Sequence, residues 1–195
     1  VTEIPNDLAR RTLELEELVR QRRFGPEYRA LEEEVLRLQR EVAALHGEPH
    51  AVPWEATPDW YGLACVPLVL SDGSKCSVLF RDRSRRCVEV RFDLVSGVRV
   101  LGVNDEVLEA HPLTGRGLRA YGTFVVKGSL WLRELEAIDR THPQFYAPHW
   151  QRSEHFLLCF KDLLVEVIAE RGDAGAVFPS LEDALAAIGP NLQIT

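Results

Sequence analysis

Apolar residues recur at helical spacing through the first 46 positions and at alternating spacing through most of the remaining chain. Within Asn6 to Arg23, Leu8, Leu15 and Leu18 share one face, Asn6 or Asp7 suits the cap, and Glu16 stands four residues before Arg20. Phe24-Gly25-Pro26 ends this helix: Gly suits the left-handed residue after a helix, and Pro at the start of the next one gives up no hydrogen bond. A second helix is predicted from Pro26 to about His46. In it Leu31, Val35, Leu38, Val42 and Leu45 step by four, three, four and three residues, a heptad seam with Val at a and Leu at d. The seam is shorter than the roughly three to four heptads of a secure coiled coil, so a helical hairpin packing on itself stands beside dimerisation through those five residues.

Gly47 to Pro58 holds Pro49, Pro53 and Pro58 and no usable period, which reads as a linker or as an extended segment lying against the body. Beyond it the period becomes two. Leu63–Leu70 and Lys75–Phe80 flank Asp72-Gly73, a hairpin signal, and Cys76, Val78 and Phe80 share one face. Cys87–Phe92, Val98–Val103, Tyr121–Lys127, Phe156–Lys161 and Leu163–Glu170 are further strand candidates, with Asp162 placed for a tight turn. Ser129 is suited to cap a helix running to about Arg140, and Ser180 one over Leu181–Ile188 that Gly189-Pro190 stops. The expected organisation is a helical arm over 1–48, a Pro-rich linker over 49–59 and an α+β body over 60–195. That body is expected to hold five to seven mainly antiparallel strands with flanking helices.

Composition narrows the function classes more than it names one. With 46% hydrophobic and 27% charged residues, the chain sits near the globular average. The net charge is −7, and both the first 50 residues and the remainder are mildly acidic, so nucleic acid is not the expected partner. Arg81, Arg83, Arg85 and Arg86 form a local basic cluster that reads best as a solvated hairpin tip. The four cysteines (Cys65, Cys76, Cys87 and Cys159) lack C-x-x-C spacing. With no apolar N-terminal signal and no run near the ~20 residues that span a bilayer, the expectation is a cytoplasmic protein without metal, cofactor or membrane.

Three constellations are candidates for chemistry. His111, His142, His149 and His155 fall in the second half, but none pairs at the spacing of a helical zinc site. The loop Asn104 to Leu118 places Asp105, His111 and Arg116 near one another; an enzyme using it would take His111, Asp105 and Arg116, with His142 or His155, around one cleft to hydrolyse a polar substrate. Gly115 and Gly117 around a single Arg match no phosphate-binding fingerprint and read as a tight turn. The third candidate is aromatic: Trp54, Trp60, Tyr61, Trp131, Tyr146 and Trp150 suit either a protein interface or the core. Glu166, between Val165 and Val167, reads as an outward-facing strand residue, and Cys65, Cys76 and Cys87, in strand-like apolar surroundings, as buried, inert thiols.

The stretch His111-Pro112-Leu113-Thr114-Gly115-Arg116-Gly117-Leu118, followed by Ser129-Leu130-Trp131-Leu132, His142-Pro143, His155-Phe156, Phe160-Lys161-Asp162 and Glu166, resembles an uncharacterised bacterial domain family. In that family a His-Pro-Leu-x-Gly-x-Gly-Leu loop precedes a Ser-x-Trp helix start, and a His opens a strand ending in Phe-x-Asp. The similarity covers about residues 60 to 170, implies no activity, and leaves the N-terminal helices outside it. Without a convincing catalytic set, the expected function is protein binding or assembly, as an adaptor or toxin-neutralising partner, through the arm and the aromatic surface. A small hydrolase and a structural homo-oligomer are the alternatives.

Overall fold

The computed structural model describes residues 3–56, 66–82, 84–104 and 106–191. Two helices open it, α1 (Glu3–Arg20) and α2 (Pro26–Leu45), packed against each other. α1 is already helical at Glu3, the first described residue, so Asn6 and Asp7 lie inside the helix, Asp7 paired with Arg10 at 3.0 Å. Pro26 opens α2 behind an extended Gly25 that offers no side-chain cap. The heptad seam is partly consumed within the chain: Val35 and Leu38 are buried, Leu31 and Val42 half-buried, and only Leu45 is openly exposed. Arg11 Nε reaches Glu34 Oε1 across the pair at 3.2 Å.

α2 also docks on the body. Gln39 Oε1 accepts the Gly117 N–H at 3.3 Å, Arg119 pairs with Glu33, and the Arg40 methylenes lie against Gly117. Gly117 has φ +89°, and a Cβ there would stand 2.4 Å from Arg40 Cγ and 2.5 Å from the Ala51 carbonyl oxygen. Backbone conformation and close approach both require glycine at this point.

Among the described residues the body is an antiparallel sheet of eight strands: β1 (His50–Pro53), β2 (Leu68–Ser71), β3 (Lys75–Arg81), β4 (Cys87–Leu101), β5 (Thr123–Lys127), β6 (Glu154–Cys159), β7 (Leu164–Asp173) and β8 (Val177–Phe178). Their order is β1-β5-β6-β7-β4-β3-β2, with β8 pairing the start of β4. Two short strands, β1 and β8, carry no alternating pattern of their own. β1 lies in the Pro-rich stretch read as a linker or as an extended segment against the body, whose residues 57–59 are outside the described residues, and its residues take the second form: Ala51 pairs with Val126, and its N–H donates to the Arg116 carbonyl at 2.9 Å. The two segments Cys87–Phe92 and Val98–Val103 are one strand, β4, carried across Asp93–Gly97 by a left-handed Leu94 (φ +56°) and a bulge that leaves Ser96 without a partner on β7. The long β7 ladder holds both halves.

The sheet curls on one apolar face. Trp54, just past the edge strand β1, reaches Phe92 on β4 at 5.9 Å between ring centroids and Phe156 on β6 at 5.0 Å. Cys76, Val78, Phe80, Val88, Val90, Val165 and Val167 fill the same face. The opposite face is covered in patches by the 104–120 loop, by α3 (Leu130–Asp139) with α4 (Ala147–Arg152), and by α5 (Leu181–Ile188). Ser129 and Ser180 cap α3 and α5, accepting the N–H of Leu132 and of Asp183, each at 3.1 Å. Among the described residues no helix is long and apolar enough to cross a membrane.

Candidate functional site

The covered face leaves a pocket of about 330 Å³ between the 111–116 turn, the start of α3 and the strands beneath them. Its apolar wall is Pro49, Leu101, Pro112, Leu113, Val126 and Leu130; its polar groups are Arg99, His111, Arg116, Ser129, His155 and Glu166, with Trp131 on one side. Strand register explains the convergence. Glu166 on β7 lies opposite Arg99 on β4 and opposite Leu157 on β6, which makes His155 its diagonal neighbour.

Ser129 does two things at once. Its Oγ caps α3, and it lies 2.8 Å from His155 Nδ1. The other ring nitrogen, Nε2, stands 2.9 Å from Glu166 Oε2, off the line of a well-aligned hydrogen bond, so this is a close polar contact. A proton on the nitrogen facing the carboxylate leaves Nδ1 to accept the serine hydroxyl. All three residues are buried, and the Trp131 ring meets the His155 ring edge-on at 5.3 Å.

The charges around this row are set by burial and by each other. Burial pushes the Glu166 carboxyl up, but His155, His111 and Arg99 outweigh it and the net shift is downward. His111 is shifted down, first by burial and then by His155, against the pull of Glu166, so its neutral form is favoured. Its Nδ1 accepts the Leu113 N–H at 3.2 Å, which places the proton of the neutral ring on Nε2. Arg116 Nε pairs with Glu48 at 3.2 Å, and the Arg99 guanidinium lies 4.0 Å above the Trp131 ring.

The residues expected to form a site therefore divide. His111, Arg116 and His155 meet in the pocket. His142 does not: it is exposed, in the turn after α3, where its Nδ1 accepts the Gln144 N–H. Asp105 lies outside the described residues, as do Trp60, Tyr61, Cys65 and Arg83. The described members of the aromatic set divide as well. Trp54 packs on the curled face, Trp131 and Trp150 are buried beneath α3 and α4, and of these four Tyr146 alone is openly exposed, at 59%. Glu166, expected to face outward, is 7% exposed because the loop and α3 cover that face. Sequence pattern presents Ser129 only as a cap and gives no sign of Arg99; the signal for Ser129 is its place in the Ser-x-Trp pattern beside His111 and His155. Among the described residues no cluster of three or more His, Cys, Asp or Glu is arranged to hold a metal ion.

No protein-family model, no curated protein and no solved structure matches this chain.

Proposed function

We propose that the protein is a small hydrolase-like enzyme acting on an ester or similar acyl compound with an apolar body and an anionic group. The observation that carries this reading is the row Ser129–His155–Glu166 on the wall of a pocket that joins an apolar wall to the polar groups of Arg99, His111 and Arg116, at 2.8 and 2.9 Å. In this scheme the Ser129 oxygen attacks the acyl carbon as its proton passes to His155 Nδ1, and Glu166 stabilises the imidazolium from the far side. His155 then protonates the leaving alcohol, and water releases the acid by the reverse proton path. His111 Nε2–H and the first turn of α3 offer donors for the developing oxyanion, and Arg99 and Arg116 suit the anionic group. The test is turnover of a panel of nitrophenyl esters with neutral and carboxylate-bearing acyl chains. Ser129→Asn keeps a capping side chain but no nucleophile, and a loss of about 10³-fold or more is expected in it and in His155→Gln. Equal turnover by both variants and the wild type would remove the reading.

A second reading, a protein-binding or assembly role for the arm, is favoured by Leu13, Val19, Phe24 and Leu45, which stand 45 to 65% exposed on α1, α2 and their connection. A groove lined by Leu13, Leu18 and Leu31 with Glu14, Glu17 and Glu27 runs along it. The partner is another protein or a second copy of this chain. Light scattering over a range of concentrations separates the two: a mass that rises with concentration indicates self-association, and a constant monomer mass leaves only a different partner.

A further inference from the structure

The bulged Ser96 on β4 belongs to a second serine–histidine–carboxylate row that shares no residue with the pocket. Ser96 Oγ lies 2.6 Å from His149 Nε2, and His149 Nδ1 lies 2.7 Å from Glu170 Oε1. Glu170 is clamped by Arg152, whose Nε reaches Oε2 at 2.7 Å and Nη2 reaches Oε1 at 3.0 Å. Each part has a structural origin. The bulge inserts one residue opposite β7 and turns the Ser96 side chain toward α4. α4 is held by the buried Trp150, whose indole N–H donates to Asp139 at 2.7 Å, so the imidazole is fixed by packing. The Arg152 clamp orients the carboxylate and keeps it ionised, which fixes the His149 proton on Nδ1 and leaves Nε2 to accept from the hydroxyl.

The geometry points to Ser96 as a second nucleophile, near the surface, that takes an acyl group from an unhindered ester. Ser96 is half-buried and the His149 side chain is 25% exposed, so the pair lies near the surface and not in the core. The pairing is the one nucleophilic serines require: base on the hydroxyl, carboxylate on the base's other nitrogen. In the step itself the Ser96 oxygen forms a bond to the acyl carbon, its proton moves to His149 Nε2, and the ester's alkoxy group leaves with that proton as the alcohol. Water then cleaves the acyl-serine to the acid and restores the hydroxyl. A purely structural strut between α4 and the sheet would hold the same distances but would not react.

The experiment uses the wild-type protein and a fluorophosphonate, which traps such serines by forming an oxygen–phosphorus bond with loss of fluoride. Peptide mapping by mass spectrometry then reports which serine is modified. Modification of Ser96 in the folded protein and its absence in the urea-unfolded protein are expected, with labelling slowed about 10²-fold or more in His149→Gln. Labelling of Ser96 and Ser129 together supports both this inference and the pocket reading. Labelling of Ser129 alone, or of neither serine, overturns the role of Ser96, and Ser96 alone sustains it whatever becomes of the pocket.

Discussion

Two carboxylates four residues apart on β7 each face a histidine, and their surroundings set different chemistry. Glu166 is enclosed with His155 under the loop, whereas Glu170 lies beside His149 and the more exposed Arg152. Arg152 first, and then His149, hold the Glu170 carboxyl down to about 2. Because that value lies below the ~4.3 of an unfolded chain, its contribution to stability is complete above about pH 4.3 and is lost as pH falls through the folded value. Arg152→Gln removes the larger cause. The variant is expected to melt below the wild type at neutral pH, and the two melting curves to converge as pH approaches about 2. Thermal melts from pH 2 to 7 check this; a gap that persists undiminished at the acid end would show that Arg152 acts through packing instead. The thiols need no such balance. Burial pushes Cys76 up to about 12 and raises Cys159 further, as expected for inert core cysteines.

At the scale of elements, sequence pattern and structure agree where one local rule governs and part company where tertiary contact decides. The caps at Ser129 and Ser180, the hairpin at Asp72-Gly73 and the Asp162 turn were legible because each is written in two or three adjacent residues. β1 was legible only as an extended segment and not as a strand, since its four residues, Pro53 among them, take their pairing from β5. Nor was the burial of Glu166: alternation assigns a residue to a face, and which face the loop and α3 cover is not written in β7 itself. Ser129 was legible as a cap and hidden as a site residue, because its second bond goes to a strand 26 positions away. That double duty yields a stability prediction. Ser129→Ala should cost about 1 kcal/mol for the cap and about 1–3 kcal/mol for the unpaired His155 nitrogen, whereas Ser129→Asn should retain most of the first. Urea unfolding of the two variants separates cap from site.

At the scale of the whole molecule, the arm and the pocket are joined at one seam. Between α2 and β1, Glu48 pairs with Arg116 and Pro49 lines the pocket wall, while Gly117, next after Arg116 in the chain, lies against Arg40 of α2. Displacing the arm therefore displaces part of the pocket. Gly117→Ala is the sharpest probe of this coupling, since a Cβ meets the flexible Arg40 side chain, which can yield, but also the Ala51 backbone oxygen within β1, which cannot do so without breaking strand pairing. Left-handed backbone adds about 1–2 kcal/mol of strain at a residue with a Cβ, so the expected loss of stability is about 2 kcal/mol or more. If arm and pocket form one unit and the pocket hydrolyses esters as proposed, the variant gains protease sensitivity near Gly47 and loses ester turnover together, while its α5 end keeps its amide protection. Loss of turnover without new cleavage would place the effect in the 111–116 turn alone, and cleavage without loss of turnover would show that the pocket stands without the arm.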